Sequence, residues 1–252
     1  MNMKNAIITA ADGNATAVGI ITDKKDRKWY EEEGNKLMNE MQSYKVEQVG
    51  FLIQTDNHFE MSGGEFCGNA ARAAAMLFSR LQNQNKINFT MSGYTGIVSA
   101  NVSWISNTKA YVTCIFTDLP SEPRSVLLNN GTKAIVVDMG GIVHVIIEGP
   151  MPKDYEVQHR IITQELHLNE RSAVGVDWIV SGSDYVLMHP VVWVKSINTF
   201  FYESSCGSGS IAVAVATKKT DIKQPSGKII FVFIDGNSTA LSSDMEITHE
   251  QE

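Results

Sequence analysis

The sequence is poor in cysteine, contains no long apolar run and shows no block of basic residues. Three cysteines in 252 residues are too few and too widely spaced to form a disulfide framework. No Cys-x-x-Cys pair or histidine cluster has the spacing of a metal site, so we expect no bound metal. No apolar run approaches the roughly 20 residues that cross a bilayer, so we expect no membrane association.

The net charge bears on the expected partners, and the first residues bear on the expected cellular compartment. The formal net charge is -7, and the basic residues are dispersed, so we expect no nucleic-acid partner. The first residues lack the apolar core and cleavage site of a secretory signal, which predicts a cytoplasmic protein with reduced thiols. With 43% hydrophobic residues the chain can bury one large core or two modest cores. Its mass is compatible with a homodimer.

Two of the cysteines occur in matching sequence contexts. Each is followed by glycine, by a small or polar residue, and then by an Ala-rich run that favours a helix. The two motifs are Cys67-Gly68-Asn69-Ala70 and Cys206-Gly207-Ser208-Gly209. Each cysteine would therefore lie at the start of a helix, where unpaired backbone N–H groups attract an anion. We expect this placement to lower the pKa of both thiols.

The chemistry of such a pair predicts inversion at a carbon atom. Inversion of an amino acid removes the α-proton from one face and returns a proton to the other, which one residue cannot easily do. A thiolate can act as base on one face while a thiol acts as acid on the other. We therefore predict that Cys67 and Cys206 are an acid/base pair and that backbone N–H groups bind the substrate α-carboxylate without a cofactor. Those groups belong to Gly68, Asn69, Gly207 and Ser208.

The remaining pattern indicates two diverged copies of one unit. In the first copy a helical stretch at 26–42 precedes a strand at 46–53, and in the second a helical stretch at 156–170 precedes a strand at 173–180. Further β-branched segments predict short strands. These lie at 6–9, 110–116, 133–137, 143–147, 185–188 and 229–234.

We therefore predict an α+β protein with two pseudo-symmetric domains, each a barrel-like, mostly antiparallel sheet around a central helix, with the site in the cleft between them. The proposed divisions are 1–120, 121–240 and a polar tail at 241–252 whose composition is compatible with disorder. Residues 117–132 are rich in Pro, Asn and Gly and are predicted to break regular structure at the boundary.

These residues resemble the cofactor-independent diaminopimelate epimerase superfamily over nearly the whole chain. The two cysteine motifs are its specific signature. Further short motifs are similar to those of the family: Gly13-Asn14, Glu47-Gln48, Met139-Gly140 with His144, and Gln224-Pro225-Ser226-Gly227. The resemblance implies that Asn14 and Gln48 contact the substrate. Glu203 is expected either to contact an ammonium or imidazole group or to serve as a helix-cap partner.

Departures from the superfamily pattern bear on the substrate. Diaminopimelate epimerases carry an Arg shortly before the second cysteine, whereas the segment 200–205 here contains none. A second carboxylate would then be buried unpaired, at a high cost in free energy. The segments around 47–51, 61–70 and 203–209 look most like bacterial histidine racemases, which implies conversion of L-histidine to D-histidine. Arg72 is the one feature that favours a diaminopimelate epimerase, because those enzymes resemble this sequence in having an Arg at this spacing.

Three other functions remain open at this stage. A diaminopimelate epimerase would use the same cysteine pair on a different substrate. A non-catalytic amino-acid-binding protein would keep the cleft but would not need an acid and a base on opposite faces. A thiol redox protein would form a disulfide between the cysteines in normal function, whereas in a racemase such oxidation would be inactivating.

Overall fold

The structure is a computed structural model that describes residues 3–195 and 198–251. Residues 4–117 form strands with two helices between them. The elements in order are β1 Lys4–Ala10, β2 Gly13–Ile21, α1 Arg27–Glu40, β3 Val46–Ile53, β4 His58–Met61, α2 Gly68–Gln82, β5 Lys86–Met91, β6 Tyr94–Trp104 and β7 Lys109–Thr117.

Residues 123–251 form further strands with two more helices between them. Its elements in order are β8 Pro123–Leu127, β9 Lys133–Asp138, β10 Val143–Glu148, α3 Tyr155–Glu165, β11 Ala173–Ser181, β12 Val186–Val194, β13 Thr199–Tyr202, α4 Gly207–Thr217, β14 Asp221–Lys223, β15 Ile229–Asp235 and β16 Ser238–Gln251.

The strands form one continuous mixed sheet. Its order runs from β1 through β7 to β16, β15 and β14, and then through β12, β11, β10 and β9 to β8. β13 pairs with β12, and β16 also pairs with β1. Parallel pairs occur at β2/β3 and β4/β5 before the β7/β16 junction and at β10/β11 and β12/β14 after it. The other pairs are antiparallel, which the short connections permit.

The helices α2 and α4 lie inside this sheet rather than on its surface. Small side chains allow the sheet to close around them, because Ala, Gly and Ser leave room for strands on every side. α2 is buried from Gly68 to Ser79, and α4 is buried from Gly207 to Val215. Side chains of both helices belong to the same hydrophobic core. The core therefore fixes the position of each helix N-terminus.

The α+β class and several element boundaries predicted from the sequence are confirmed. The strand at 46–53 coincides with β3, and the segment at 173–180 lies within β11, which continues to Ser181. The helix expected at 26–42 is α1, followed by a short 3-10 turn at Gln42–Tyr44. The helix expected at 156–170 is α3, which ends five residues earlier than predicted, at Glu165.

Two predictions about irregular segments are wrong. Residues 117–132 contain β8, whose antiparallel pairing with β9 begins at Pro123; a proline is tolerated because β8 is an edge strand. The supposed polar tail at 241–252 lies in β16 as far as Gln251, paired with β1, β7 and β15. Its side chains alternate between buried and less buried, and its buried positions include Leu241, Met245 and Ile247.

No helix within the described residues is both long enough and apolar enough to cross a bilayer.

Candidate active site

Each of the two cysteines caps the N-terminus of a buried helix. Cys67 has φ -136° and ψ 114°, and Cys206 has φ -132° and ψ 112°. The Cys67 sulfur accepts a hydrogen bond from Ala70 N at 3.4 Å, and the Cys206 sulfur accepts one from Gly209 N at 3.3 Å. The sequence prediction that both thiols lie at helix starts agrees with this geometry, although a sulfur atom is a weak capping acceptor.

The two helix N-termini abut each other at their first glycines. A Cβ atom on Gly207 would lie 2.8 Å from Asn69 N and from Gly68 C, and a Cβ atom on Gly68 would lie 3.0 Å from Gly207 C. Only glycine permits so close an approach of two backbones. The intrahelical bonds to the cap carbonyls begin at Ala71 and Ser210. The earlier N–H groups of both helices therefore point toward one region, where a carboxylate would be stabilised.

Both cysteines line a cavity of about 130 Å³. Its apolar lining comes from Phe66, Ile142, Ala173, Val192, Val194 and Phe201. Its acidic lining comes from Glu31, Glu47, Glu65 and Glu203. Among the described residues that line the cavity, none is Lys, Arg or His. The cavity therefore combines the positive ends of two helices with several carboxyl groups, which suits a ligand that carries both charges.

The Cys67 thiol faces an amide. It donates a hydrogen bond to Gln48 Oε1 at 2.9 Å. Gln48 Nε2 in turn donates to Asn14 Oδ1 at 2.6 Å and to Thr16 Oγ1 at 2.7 Å. Gln48 thus lines the cavity and holds the thiol, whereas Asn14 holds Gln48 from behind and is not among the residues that line the cavity.

The Cys206 thiol faces groups of a different kind. The Glu203 carboxyl lies beside it and adds to burial in raising its pKa, and its sulfur lies 3.6 Å from Ser208 Oγ. Its backbone N–H donates to Gln224 Oε1 at 2.8 Å. The motif around Gln224 therefore fixes the backbone at the second cysteine, a role that its sequence did not reveal.

A buried histidine and aspartate extend the network beyond Ser208. His144 Nε2 lies 3.0 Å from Ser208 Oγ, and His144 Nδ1 lies 2.8 Å from Asp177 Oδ2. His144 and Asp177 are both fully buried. Sequence reasoning treated His144 only as part of a resemblance and missed Asp177, which lies in the middle of β11 among apolar residues. A charged residue inside an otherwise apolar strand was the available signal.

The expectation that helix placement lowers the thiol pKa values is contradicted. Burial raises the pKa of Cys67 to about 12 and raises the pKa of Cys206 well above 9.0. The negative charge of Glu203 raises both pKa values further, while the hydrogen bonds from the helix backbone oppose the change. Loss of water around the thiolate therefore outweighs the helix N-terminus in the ligand-free cavity.

The carboxyl groups around the cavity respond to burial in the same direction. Burial raises the pKa of Glu203 to about 8 and that of Glu47 to about 7. Glu47 adds a like charge beside Glu203, and Ser204 Oγ donates a hydrogen bond to Glu47 Oε1 at 3.1 Å. Glu203 therefore lies beside Cys206. Glu47 contacts Ser204, which belongs to the segment that precedes Cys206.

The remaining predicted residues lie at the meeting point of the two helices. Asn69, Gly207 and Ser208 line the cavity, whereas Gly68 is packed against Gly207 behind it. The Asn69 side chain donates from Nδ2 to Ser205 O at 2.9 Å. This bond ties the first turn of α2 to the segment that precedes the second cysteine.

A metal centre is not evident in this part of the molecule. Within residues 3–195 and 198–251, no group of three or more His, Cys, Asp or Glu side chains is arranged to hold a metal ion.

Comparison with known proteins identifies the family. The family described as "Histidine racemase CntK N-terminal domain" matches residues 11–248. The chain belongs to the CntK histidine racemase family. A histidine racemase from Fusobacterium nucleatum is 31% identical over 243 residues, covering 91% of this chain and 87% of that protein. A histidine racemase from Staphylococcus aureus is 25% identical over 238 residues, covering 86% of this chain and 84% of that protein.

Solved structures share the fold of this CntK-family chain. A predicted epimerase from Pseudomonas aeruginosa superimposes with a TM-score of 0.65 at 11% identity, covering 100% of this chain and 99% of that one. A hydroxyproline epimerase from Agrobacterium vitis, solved with bound trans-4-hydroxy-L-proline, superimposes with a TM-score of 0.62 at 10% identity. That match covers 99% of this chain and 91% of the epimerase.

Arg72 of this CntK-family chain does not line the cavity. Its guanidinium is fully buried and donates to Ser243 Oγ at 2.7 Å and to Gly68 O at 3.2 Å, with a further contact to Asn69 Oδ1. Burial lowers its pKa to about 10, so it remains charged at neutral pH. Arg72 therefore braces the first turn of α2 against β16, and its donors are engaged away from the ligand space.

Proposed function

We propose that this chain is a cofactor-independent, two-base racemase that inverts the α-carbon of histidine. The observation that carries the proposal is the pair of cysteines with matching backbone geometry, both on one cavity and both at abutting helix N-termini. Membership in the CntK histidine racemase family supports the same reaction. Reduced thiols are required, which is consistent with a cytoplasmic location.

We further infer that the sheet comprises two pseudo-symmetric, barrel-like halves, each around one central helix. The repeated positions of the parallel pairs on either side of the β7/β16 junction support this division. So do the equivalent positions of α2 and α4. The cavity between the halves would receive one catalytic thiol from each. The boundaries 1–120 and 121–240 and a homodimer stay predictions.

The proposed reaction begins at Cys206. Its thiol proton passes to the ionised form of Glu203, which is the minor form at neutral pH because burial raises the pKa of Glu203 to about 8. The transfer is uphill because the Cys206 thiol has the higher pKa, and after turnover Glu203 returns a proton to the cysteine pair. The thiolate then removes the substrate α-proton, while the Cys67 thiol delivers its proton to the opposite face of the α-carbon. One C–H bond breaks and one forms, and the Cys67 thiolate remains. The reverse reaction exchanges the two roles.

The helix N-termini would stabilise the charge that develops on the substrate. Removal of the α-proton moves negative charge onto the α-carboxylate. Asn69, Gly207 and Ser208 line the cavity, and we infer that their backbone N–H groups, with that of Gly68, bind this carboxylate. Such fixed donors lower the barrier because they need no reorganisation during the reaction.

The charge of the cavity lining favours histidine over diaminopimelate. Diaminopimelate has a second carboxylate, which would enter a cavity lined by four carboxyl groups and, among its described lining residues, no basic side chain. Arg72 cannot compensate, because its donors are directed to Ser243, Gly68 and Asn69. An imidazole or imidazolium side chain fits this lining better.

Exchange of the α-proton tests the proposed function. We expect the reduced protein to exchange the α-proton of L-histidine in D2O without added cofactor and to produce D-histidine, as followed by proton NMR and chiral chromatography. Cys67→Ala and Cys206→Ala should each lower racemisation by at least about 1,000-fold, because each removes one of the two proton carriers. Cys114→Ala is the matched control, since Cys114 lies in the core outside the cavity.

The outcomes separate the competing functions. Exchange of meso-diaminopimelate but not histidine would keep the mechanism and reject the substrate. Tight histidine binding that survives both cysteine substitutions, with no exchange in the unmodified protein, would indicate a binding protein. Activity in Cys67→Ala or Cys206→Ala equal to that of the unmodified protein would reject the two-base mechanism.

A further inference from the structure

Glu65 is a carboxyl group of the cavity that the proposed proton transfer does not use. It precedes Cys67 by two residues and lines the cavity together with Ser62 and Gly63 of the turn after β4. Its Oε2 atom is shielded from solvent and has no hydrogen-bond partner within residues 3–195 and 198–251. Burial raises the pKa of this carboxyl group, while Arg27 opposes the change. An unpaired acceptor in such a position is costly unless a ligand supplies the missing donor.

The nearest basic side chain is already engaged elsewhere. Arg27 Nη1 donates to Glu60 Oε1 at 2.6 Å, and its Nη2 donates to Met61 O at 2.9 Å and to the carbonyl oxygen of Ser62. Arg27 therefore holds the turn that carries Glu65. Among the described residues, Arg27 makes no hydrogen bond to Glu65. A cation that pairs with Glu65 must come from the ligand.

The other carboxyl groups of the cavity have different partners. Glu203 lies beside the Cys206 thiol. Glu47 accepts from Ser204 through Oε1, while its Oε2 also lacks a partner among the described residues. Glu31 lies at the rim with a half-exposed side chain near Arg27. Glu65 directly precedes Phe66, which belongs to the apolar lining of the cavity. A flat cationic side chain would bury its ring there and direct an N–H group to the carboxylate.

We propose that Glu65 is a specificity-determining residue that accepts a hydrogen bond from the protonated imidazole of the substrate. The inference rests on the proposed racemase function and deepens it, because it names the form of histidine that the cavity selects. The cavity binds the imidazolium cation in preference to a neutral ring of the same shape. Glu65 thereby sets side-chain selectivity and takes no part in moving the α-proton.

Glu65→Gln tests this role against a neutral isostere of histidine. L-3-(1,2,4-triazol-3-yl)alanine has nearly the same shape, but its ring stays uncharged near neutral pH. KM for α-proton exchange of L-histidine and Ki of the isostere as a competitor are measured for the unmodified protein and the variant. We expect KM for histidine to rise about 10- to 100-fold, the effect of losing a charge-assisted hydrogen bond. The Ki of the isostere should change less than about threefold, and kcat should change less than KM.

Two further measurements make the outcome unambiguous. Thermal unfolding should show no loss of stability in Glu65→Gln, because the substitution removes a buried carboxylate that lacks a partner. Glu32→Gln makes the same chemical change on an exposed face of α1 and should leave all constants unchanged. Parallel losses for histidine and isostere, a fall in kcat alone, or no change would each overturn the role of Glu65. Failure of the unmodified protein to exchange histidine would instead overturn the proposed function.

Discussion

At the scale of single residues, the two cysteines have the same backbone geometry but different neighbours. The Cys67 thiol donates to an amide oxygen of Gln48, which cannot accept a proton at neutral pH. The Cys206 thiol lies beside Glu203, whose ionised form can. The duplicated motif therefore predicts two equivalent thiols, whereas their partners come from unrelated parts of the chain. This difference assigns Cys206 as the thiol that loses its proton first in the proposed mechanism.

The raised pKa of Glu203 predicts how the stability of the ligand-free protein depends on pH. The pKa is about 8 in the folded protein and near 4.5 in a model carboxyl group, so the folded state binds the proton more tightly. Stability should fall as pH rises from about 5 to about 8, because the unfolded state releases this proton over that range while the folded state still binds it. Glu47 adds to the fall up to about pH 7.

Thermal unfolding of Glu203→Gln checks this dependence. The variant should unfold at a higher temperature than the unmodified protein at pH 8 and should lose part of its pH dependence between pH 7 and 8, above the pKa of Glu47. Glu32→Gln provides the control at an exposed carboxyl group. An unchanged slope in Glu203→Gln would show that this carboxyl group titrates normally. The same variant should lose racemisation if Glu203 accepts the Cys206 proton.

At the scale of elements, the contact between α2 and α4 sets the separation of the thiols. Gly207→Ala would place a Cβ atom 2.8 Å from backbone atoms of the opposite helix, which cannot rotate away. We expect the helix N-termini to move apart, racemisation to fall by at least about 100-fold, since small displacements of catalytic groups are that costly, and the melting temperature to fall.

Gly68→Ala offers an informative comparison for this contact. Its Cβ atom would meet the Leu241 side chain at 2.7 Å and backbone atoms of Gly207 at 3.0 Å or more. A side-chain methyl group can shift, so we expect a smaller loss than for Gly207→Ala. Exchange assays and thermal unfolding measure both variants. Full activity in Gly207→Ala would show that the helices need not abut.

The elements also show where sequence patterns suffice. The strand at 46–53 and the helix starts at the two cysteines follow from local patterns and capping, and the structure places them accordingly. The network of His144, Asp177 and Ser208 could not be predicted, because it joins β10, β11 and α4 through side chains far apart in sequence. The thiol pKa values also depended on burial, which the helix-start motif does not report.

At the scale of the whole molecule, the C-terminal strand joins the two parts of the sheet. β16 pairs with β7 on one side and with β15 and then β1 on the other. Its polar composition suggested a disordered tail, but the period-2 alternation of Leu241, Met245 and Ile247 places apolar side chains in the core. Ser243 of the same strand accepts a hydrogen bond from the buried Arg72.

Removal of β16 is therefore expected to unfold the whole protein and not only to shorten one end of it. A chain ending at Asn237 would expose the edges of β7, β15 and β1 and would leave Arg72 without its Ser243 partner, and we expect it to aggregate or to lack a cooperative thermal transition. A chain ending at His249 keeps the buried residues of β16 and should melt within about 5 °C of the full chain, since exposed ends contribute little. Circular dichroism and size-exclusion chromatography compare the two. A cooperative transition in the shorter chain would show that the sheet closes without β16.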